Sequence, residues 1–444
     1  MTYAEKGRIC IISQYFPPDV TGDVIRLLNA LKALKSQKFE VTVIAAFPHY
    51  PDGKIPAKYR GKLFYKEKWN GIEVIRTFIL PLPHKGFINR LLLYLSFSLS
   101  AFIAIFLVKK VKVVWAFSQK FFSYIPGIMF KLLRRTRLVL DITDIWPEAI
   151  VNTGYIKNNG YLFKIIGLLL GFFFRIADQT ITLTNSMKKM ITSTGVSPSK
   201  VTVLPNVIDP DFTKPMNVEK KEFNGKFVVM YSGNLGPNYD FKTLLNAASK
   251  LKDKEDILFV IRGKGEMKSY IETYIKTNQL KNVYLDEKIL DKHTLIEYLN
   301  KADVFILPMK KCPYPDASFP IKLLDYLGCG KPVICCTEGF LSKLISKYQA
   351  GIPVSPENPD EIKKAILFLK ENPKIREKMA KNAQKLAIEF FSFNVFKEKI
   401  RDIFESNLRR LSIPKRNITV LGINDGHDAG AAIIRNGKVL AAIQ

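Results

Sequence analysis

Cysteine and histidine are scarce in this chain of 444 residues, and their spacing argues against two kinds of structural site. The five cysteines are odd in number, lack paired CxxC spacing and lie mostly in apolar runs such as PVICC. This pattern predicts reduced thiols in the core of a cytosolic protein rather than a disulfide framework. The four histidines show no metal-ligand spacing, so no structural zinc is expected.

Acidic residues are outnumbered by basic ones, 40 against 68, which gives a formal net charge of +28. Such a charge attracts nucleic acid, acidic lipid headgroups or phosphorylated small molecules. The basic residues are dispersed and no nucleic-acid motif appears, so nucleic acid is not expected as a partner. Some of the lysines are expected to face an anionic membrane surface.

The first residues lack a long apolar run, which predicts that no signal peptide is cleaved and that the protein stays in the cytoplasm. Two apolar segments follow. Residues 91–108 carry no charge and just reach transmembrane length, and residues 161–177, interrupted by Lys164, suit a helix in the headgroup region. Core helix, interfacial helix and spanning helix remain open here. The localisation predicted from these features is peripheral, at the inner face of the cell membrane.

Short β-branched runs alternate with longer helical patterns along most of the chain, and this alternation is typical of parallel sheets with crossover helices. The sequence predicts an α/β fold with two Rossmann-like, doubly wound domains. The first spans residues 1–210, a polar linker spans 211–226, and the second spans 227–411 with Lys/Glu-rich closing helices. Residues 412–444 form a separate tail.

Glycine-containing loops follow the first strand of each predicted domain. QYFPPDVTGDV contains Gly22 and opens a helix, the usual place for a ligand phosphate or sugar in such folds. The alternative is an ordinary βα turn in which Asp23 caps the helix. YSGNLG repeats the arrangement with Gly233 and Asn234, so the two loops are predicted to bracket a nucleotide sugar.

A third glycine loop, IRGKGE, ends another second-domain strand and combines flexible backbone with positive charge. Arg262, Gly263 and Lys264 are therefore predicted to bind a diphosphate. In DASFPIKLLDYLG, a helix starting at Pro320 would bring Lys322 and Asp325 to a phosphate and to ribose hydroxyls. The alternative for Asp325 is a solvated helix residue.

From about residue 8 to 410 the chain resembles the family-4 retaining glycosyltransferases of the GT-B fold, particularly those that assemble O-antigen, capsule and colanic acid. The resemblance rests on motifs in a fixed order: RICIISQYFPPDVTG, LVLDITDIWPEAIVNTG, ADQTITLTNSM, VTVLPNVID, YSGNLG, IRGKG and FPIKLLDYLGCGKPVI. It implies two domains facing a central cleft. It also implies transfer of a sugar, with retention, from a nucleoside diphosphate donor, UDP-linked, to a lipid-carried glycan.

The resemblance also implies site residues. The second carboxylate of the family's Glu, seven residues, Glu motif aligns with Asp325, and the subgroup's lysine with Lys322, beside Leu323 in the donor site. Lys322, Arg262 and Lys264 would carry the diphosphate. Two family positions differ: the first Glu is Ala317, and a basic pair after the YSG strand is absent. A first-domain histidine is missing as well, at Ser118 or Gln119. These differences leave open a catalytically degenerate, membrane-associated partner protein.

Three acids in DITDIWPE match the subgroup's motif at the cleft end of a first-domain strand: Asp141, Asp144 and Glu148. One of them is expected to accept the proton of the acceptor hydroxyl. Their alternative role is helix capping and loop structure. No cofactor or metal is expected, because no DxD-type pair stands where a bridging cation would be held.

The tail from Asn417 resembles the first strands of the O-carbamoyltransferases, with His427 and Asp428 among the matching residues. It is predicted to form two strands joined by the turn pair Asn436 and Gly437. The resemblance implies the front end of a fused or interrupted gene, or a vestige.

Overall fold

The computed structural model describes residues 7–412, except 51, 84–85, 119–120, 154–155, 215, 217, 220 and 289, and beyond them residues 419–424, 430–435 and 438–443. The chain divides into two compact units, Met1–Arg401 and Asp402–Gln444. The first unit holds two α/β domains, each built on its own sheet.

The sheet of the first domain has, within the described residues, eight strands in the order β3-β4-β2-β1-β5-β6-β7-β8. They are β1 (Ile9–Ser13), β2 (Val41–Ala46), β3 (Phe64–Trp69), β4 (Ile72–Thr77), β5 (Val113–Ser118), β6 (Arg137–Ile142), β7 (Gln179–Thr182) and β8 (Val201–Val203). The helices of this domain are α1 (Gly22–Ser36), α2 (Phe87–Ala104), α3 (Tyr124–Arg134), α4 (Glu148–Thr153), α5 (Tyr161–Ile176) and α6 (Asn185–Thr192).

β1 lies at the centre of this sheet, and all five of its residues are buried. It pairs in parallel with β2 and with β5, so the strand order reverses at this point. A reversal leaves a crevice at the carboxyl ends of the strands, where doubly wound sheets bind ligands. The loop containing Gly22 therefore starts at the binding edge of the sheet.

The second sheet contains six described strands, all paired in parallel, in the order β11-β10-β9-β12-β13-β14. They are β9 (Phe227–Ser232), β10 (Ile257–Arg262), β11 (Val283–Asp286), β12 (Val304–Pro308), β13 (Val333–Cys336) and β14 (Gly351–Val354). The helices are α7 (Phe241–Ser249), α8 (Lys268–Thr277), α9 (Lys292–Asn300), α10 (Lys322–Gly328), α11 (Phe340–Lys347), α12 (Pro359–Glu371), α13 (Pro373–Phe391) and α14 (Phe393–Ser412). Here the order reverses between β9 and β12.

The prediction of two doubly wound α/β domains is confirmed, but two edge strands were not predicted. β3 runs antiparallel to β4. Its sequence, FYKEKW, is rich in charged residues and none of them is fully buried, so it lacks the apolar run that predicts a strand. β14, with the sequence GIPV, contains a proline that only an edge strand tolerates. Both strands depend on a neighbour for their pairing, which a short sequence window does not show.

The closing helices return to the first domain, as expected. The backbone N–H of Ile208 donates to the carbonyl of Phe391, at 2.8 Å. The side-chain amide of Gln37, after α1, donates to the carbonyl of Lys397 in α14, at 2.7 Å. These bonds fix the end of the chain's second domain against the first.

α2 is half core and half surface. Leu93, Phe97 and Ala101 are fully buried, while Leu99 on the opposite side is exposed. By length and composition, Ile88–Leu107 is long and apolar enough to cross a membrane, yet 44% of it is buried inside the domain. One face of α2 therefore packs in the core and the opposite face is exposed.

The second unit contains three described strands rather than the two predicted: β15 (Thr419–Asn424), β16 (Gly430–Arg435) and β17 (Lys438–Ile443). They form an antiparallel sheet in chain order. β16 and β17 flank positions 436–437, where a turn was predicted; Asn436, Gly437, His427 and Asp428 lie outside the described residues. The prediction of a simple hairpin was wrong because it merged the first strand with the segment that follows it.

Candidate active site

The first-strand loop of the N-terminal domain meets the donor helix of the C-terminal domain. A Cβ built on Gly22 would lie 2.9 Å from Cδ1 of Ile321, immediately before α10. Gly22 thus permits a close approach across the cleft. α1 is capped by Thr21, whose Oγ1 accepts a bond from the N–H of Val24, so Asp23 is not the capping residue.

Direct bonds join the two domains at the DITDIWPE motif. The N–H of Ile145 donates to the carbonyl of Ala317, at 2.8 Å. The Asn152 amide both donates to the carbonyl of Tyr314, at 2.7 Å, and accepts from its N–H, at 3.2 Å. The predicted acid motif of one domain therefore lies against the segment preceding α10 in the other.

Two glycines at the donor edge are required by close packing. The N–H of Gly233 donates to the carbonyl of Arg262, at 2.9 Å, so the loops after β9 and β10 lie against each other. Gly263 has φ +143°, and a Cβ there would overlap the carbonyl oxygen of Gly233. Gly233 has φ +144°, and a Cβ there would lie 2.7 Å from Nζ of Lys322. Only glycine fits, and the resulting surface offers bare backbone to a ligand.

Lys322 lies over this glycine surface, enclosed by aromatic rings. Its Nζ is 4.1 Å from the ring centre of Tyr231 and 3.7 Å from that of Tyr239, and it donates to the Tyr231 hydroxyl. Burial lowers the pKa of Lys322 to about 7, although the nearby Asp325 carboxylate opposes the shift. A cation deprived of water in this way gains strongly from an incoming anion.

Asp325 lies one turn further along α10. Burial raises the pKa of this carboxyl to about 7, and Asp209 adds to the rise while Lys322 opposes it. No described residue donates a hydrogen bond to the carboxylate. Its acceptor oxygens are thus suited to hydroxyl donors such as those of a ribose.

The other predicted donor residues differ in availability. The Arg262 guanidinium is buried, donates to Ser232 Oγ at 3.3 Å and to the carbonyl of Lys288 at 2.8 Å, and lies 3.9 Å from Asp286. It would have to exchange partners to reach a diphosphate. Lys264 is exposed on its loop. Both roles stay predictions.

The carbonyl of Asn234 and the N–H of Leu323 are already bonded within the protein. The carbonyl of Asn234 accepts from the Tyr231 hydroxyl at 2.6 Å, which holds the loop closed. Leu323 is buried, and its N–H already donates to the carbonyl of Pro320 at 3.1 Å, because α10 begins at Lys322 rather than at Pro320. Leu323 therefore positions the helix, and contact with the donor remains a prediction.

Asp141 does not face the cleft, which corrects the prediction of a catalytic role. It is fully buried and receives Arg26 Nε at 3.1 Å and 3.2 Å on its two oxygens. Arg26 also donates to the Asn206 side chain and to backbone carbonyls after β8. Burial raises the pKa of Asp141 while Arg26 opposes the rise. The pair ties α1 to β6 and is structural.

Asp144 and Glu148 remain candidates. Asp144 forms an isolated β-bridge with Ser318 across the cleft. Glu148 begins α4, is half-buried, and has one carboxylate oxygen, Oε2, for which no described residue provides a hydrogen bond. Burial raises the pKa of Glu148. A base has to reach the reacting proton, and Asp144 is the one whose side chain lines the cleft cavity.

The first acid of the family motif has no substitute among the neighbouring residues. Ala317 is buried, and Asp316 Oδ1 accepts from the N–H of Phe340 at 2.5 Å, capping α11. The Asp316 carboxylate is therefore committed to the fold. Gln119, near the missing first-domain histidine, lies outside the described residues.

A cavity of about 400 Å³, here called the cleft cavity, adjoins these residues. Side chains from α2, α4 and α5 line one side, and the loops after β9 and β12 line the other. The two basic residues of the described lining, Arg90 and Lys310, were not predicted. Arg90 preceding the uncharged run was a visible signal, but its position in the cleft depends on how α2 folds back over the sheet.

In the described part of the chain, no group of three histidine, cysteine, aspartate or glutamate side chains is placed to hold a metal ion. The expected independence from metal stays a prediction.

Two known protein families together match almost all of the first unit. Residues 20–212 match the family described as Glycosyltransferase Family 4, and residues 214–386 match Glycosyl transferases group 1. WcaI of Escherichia coli (strain K12), whose name assigns it to colanic acid biosynthesis as a glycosyl transferase, is 25% identical over 89% of this chain and 99% of its own.

Two other relatives match over about half of each chain. Chitobiosyldiphosphodolichol beta-mannosyltransferase of Candida albicans is 26% identical over 55% of this chain and 56% of its own. N,N'-diacetylbacillosaminyl-diphospho-undecaprenol alpha-1,3-N-acetylgalactosaminyltransferase of Campylobacter jejuni is 24% identical over 51% and 60%.

Solved structures share the fold at low identity. Anabaena HepE in complex with UDP and glucose has a TM-score of 0.66 at 16% identity, covering 90% of this chain and 100% of its own. Sucrose-phosphate synthase from Thermosynechococcus elongatus has a TM-score of 0.72 at 16% identity, covering 91% and 100%. Two Rossmann-like domains around a cleft are thus a shared architecture.

Proposed function

Because the chain is a glycosyltransferase of the GT-B type, we propose that it transfers a sugar from a UDP-linked donor to a lipid-linked glycan with retention of configuration. The proposed setting is the assembly of a cell-surface polysaccharide such as O-antigen or capsule. The observation that carries the donor half is Lys322, held by two tyrosine rings over the glycine surface at Gly233, with Asp325 one turn away.

The chemistry requires stabilisation of the leaving diphosphate rather than a covalent nucleophile. Lys322, which is desolvated by burial, supplies positive charge where negative charge develops on the leaving diphosphate. Asp325 holds the ribose, and the closed backbone at Gly233 and Gly263 lets the diphosphate approach. Asp144, on the opposite wall, accepts the proton of the acceptor hydroxyl, and the two domains bring donor and acceptor into one geometry.

Calorimetric titration of the purified chain with UDP, GDP and their sugars tests this proposal. We expect one nucleotide to bind at micromolar affinity, and Lys322→Ala and Asp325→Ala to lose about a hundredfold or more, since each removes a partly buried polar partner. Lys310→Ala is the matched control: it removes an exposed lysine at the cleft but not from the glycine surface, and should leave nucleotide affinity within a few-fold.

Absence of binding by every nucleotide tested would favour the degenerate partner protein, for which the replacement of the first family acid by Ala317 is the motivating observation. Product analysis by NMR tests retention separately. The names of the relatives include both a beta-mannosyltransferase and an alpha-1,3-N-acetylgalactosaminyltransferase. A product of inverted configuration would contradict the proposed retention and leave the proposed donor and acceptor unaffected.

We also propose that the protein binds the cytoplasmic face of the membrane through an apolar face on three adjacent helices. The face is defined by exposed large apolar side chains: Ile88, Leu92, Leu95, Leu99 and Ile103 of α2, Phe106 in the turn after α2, Leu132 and Leu133 of α3, and Leu162, Ile165, Leu168 and Phe172 of α5. α3 contacts both α2 and α5. Soluble monomers rarely expose so many apolar side chains together.

Basic side chains border the apolar face, which suits an anionic surface. Lys109 and Lys110 follow α2, Arg135 follows α3, and Lys164 and Arg175 lie on α5, all of them exposed. Apolar insertion with a cationic border is the pattern of an interfacial helix surface.

Sedimentation with anionic lipid vesicles measures the membrane binding of the protein. Leu168→Glu, at a side chain 73% exposed, should weaken binding to anionic vesicles roughly tenfold or more, because a buried leucine contributes about 1.5–3 kcal/mol. Ile388→Glu, on α13 and 48% exposed, is the control and should bind like the unaltered protein. Equal binding by both variants would contradict the apolar face.

We propose, finally, that the tail from Asn417 corresponds to the first strands of an O-carbamoyltransferase-like domain. The three antiparallel strands β15, β16 and β17 support an independent β unit. Mass spectrometry of the glycan product would show a carbamoyl group if such a domain acts on it. A product without that group in cells expressing the natural gene would contradict the proposal.

A further inference from the structure

A cavity of the first domain, here called the basic pocket, is separate from the cleft cavity. Its volume is about 610 Å³, within the roughly 300–1,000 Å³ range of small-ligand sites. The described residues that line it do not line the cleft cavity. Its lining comes from the segment between β2 and β3 and from the segment after β4. The proposed donor chemistry uses none of these residues.

The basic pocket lies at the same edge of the sheet as the loop containing Gly22. Phe47 and Phe78, which line the pocket, directly follow the carboxyl ends of β2 and β4. β1 pairs in parallel with β2, and β2 with β4. Neighbouring strands lie about 4.8 Å apart, so the end of β4 lies roughly 10 Å from the end of β1. An oligosaccharide whose reacting unit lies at the Gly22 loop can therefore extend to this pocket.

Hydrogen bonds connect the pocket to that loop. The carboxylate of Asp19, three residues before Gly22, accepts from the N–H of His49 at 3.1 Å and from that of Tyr50 at 3.2 Å. The carbonyl of His49 accepts in turn from the N–H of Gly53 at 2.7 Å, and Gly53 lines the pocket. The pocket and the Gly22 loop are thus held in a fixed relation.

Contacts among the lining residues give the pocket an aromatic wall and a fixed shape. The rings of Phe47 and Tyr59 are stacked with their centres 5.2 Å apart, and both residues are buried. Phe78 is half-buried, so part of its surface is accessible to a ligand. The Arg60 Nε donates to the carbonyl of Ile55 at 3.0 Å. An aromatic surface beside a few polar groups is typical of small-ligand sites.

The charge of the described lining is entirely positive. It contains three exposed cations, Lys54, Arg60 and Lys62, and no acidic side chain. Glu67 on the adjacent strand β3 is paired with Lys58 and with Arg76, both at 2.7 Å. An entering carboxylate would therefore gain cations that this acid does not neutralise.

From these observations we infer that the basic pocket binds a carboxylate-bearing sugar of the acceptor glycan, at a unit other than the one that receives the transferred sugar. The ring of this sugar contacts Phe78. Its carboxylate pairs with the two terminal nitrogens of Arg60, because Nε of Arg60 already donates within the protein. The inference rests on the proposed function and narrows its acceptor to an acidic glycan.

An anionic membrane is the other large anion that such cations could meet. Leu63, at 53%, is the single side chain among the described lining residues that belongs to the exposed large apolar ones. A membrane-binding surface combines cations with several apolar side chains that insert. The concave, aromatic wall of the basic pocket favours a sugar.

Trigalacturonate and its fully methyl-esterified form are matched probes, since they share one skeleton and differ in charge. Calorimetric titration of the full chain at low ionic strength should show the acid binding about tenfold tighter than the ester, because each exposed cation contributes up to about fivefold. Inorganic phosphate should bind at least about tenfold more weakly than the acid, since it lacks the sugar rings.

Two triple variants with the same change of charge assign the site. Lys54→Gln, Arg60→Gln and Lys62→Gln together should abolish the preference for the acid over the ester. Lys66→Gln, Lys68→Gln and Lys112→Gln together remove three exposed lysines that do not line the pocket, and should keep the preference within about twofold.

Three results would overturn the inference: equal affinity for the acid and the ester, equal losses in the two triple variants, or affinity for inorganic phosphate equal to that for the acid. Sedimentation with anionic vesicles tests the membrane alternative. The pocket variant should bind vesicles as its control does, and a loss confined to the pocket variant would identify a membrane contact instead.

UDP titration of the same samples separates this inference from the proposed function. Nucleotide binding without a preference for the acid would reject the basic pocket alone. A preference for the acid in a protein that binds no nucleotide would support the pocket and reject the proposed donor chemistry.

Discussion

The two walls of the cleft are built on different principles. The C-terminal wall is made of backbone: Gly233 and Gly263 pack so closely that no side chain fits, and a single lysine lies over them. The N-terminal wall is made of side chains, with aromatic and aliphatic residues of α2, α4 and α5 surrounding Asp144. In the proposed function, the backbone wall meets a nucleoside diphosphate, which is small and charged. The side-chain wall meets a lipid-linked acceptor, which is large and partly apolar.

Two carboxylates of the N-terminal wall differ in their surroundings. Asp141 and Asp144 are three residues apart in one motif, yet Asp141 is sealed against Arg26 and Asp144 lines the cavity. Identity and spacing in a motif therefore do not assign a role. The partner that the fold supplies decides between structure and chemistry.

The largest expected effect separates these two acids. Asp141→Asn leaves the buried Arg26 without its counter-ion and should cost about 3–5 kcal/mol of unfolding free energy, measured by chemical denaturation. Asp144→Asn should change stability by less than about 1 kcal/mol and lower acceptor-dependent UDP release roughly a hundredfold. If Asp144→Asn proved the less stable of the two, the assignment would be reversed.

The next effect tests the backbone wall. Gly263→Ala should cost about 3 kcal/mol or more, because its Cβ would overlap the Gly233 carbonyl in addition to the strain of a positive φ. Gly61→Ala is the matched control: its φ is +71°, but nothing lies within 4 Å of the added Cβ, so only about 1–2 kcal/mol is expected. Similar thermal shifts for the two variants would mean that the glycine loops are not closely packed.

The smallest effect is a pH dependence of donor affinity. Below about pH 7 Asp325, whose pKa is raised, becomes protonated and loses an acceptor for the ribose; above about pH 7 Lys322, whose pKa is lowered, loses the charge that attracts the diphosphate. UDP-sugar affinity should therefore peak near pH 7 and fall by up to roughly tenfold per pH unit on either side.

Single variants assign the acid and the alkaline side of this pH profile to one residue each. Asp325→Asn should remove the acid fall and Lys322→Ala the alkaline fall, in calorimetric titrations from pH 5.5 to about 8.5. The probe is a UDP-sugar because its esterified diphosphate does not titrate near neutrality, unlike UDP. A flat profile for the unaltered protein would show that neither group meets the donor.

Much of the fold followed from local patterns. The buried runs RICIIS and VTVIAA predicted β1 and β2, and the same reasoning found the strands of both domains except β3 and β14. Those two were missed because an edge strand is stabilised by its neighbour rather than by its own apolar content. The hairpin predicted in the tail failed for a related reason, since a third strand is recognised mainly by its pairing.

The candidate site was predictable in part. Gly233, Gly263, Lys322 and Asp325 stand in motifs whose spacing after strands places them at one edge of a parallel sheet. Arg90 and Lys310 were not found, because they come from segments far apart in sequence that meet only when α2 folds over the first domain and the domains close.

The sequence by itself determined the two doubly wound domains, the glycine loops and the basic, apolar character of the chain, because each of these depends on residues close together in the chain. The tertiary structure alone decided which acid is sealed and which faces the cleft, how far burial moves the pKa of Lys322 and Asp325, and where the apolar helices meet the donor loops. Those properties depend on desolvation and on contacts between distant segments, and neither is encoded in any one stretch of sequence.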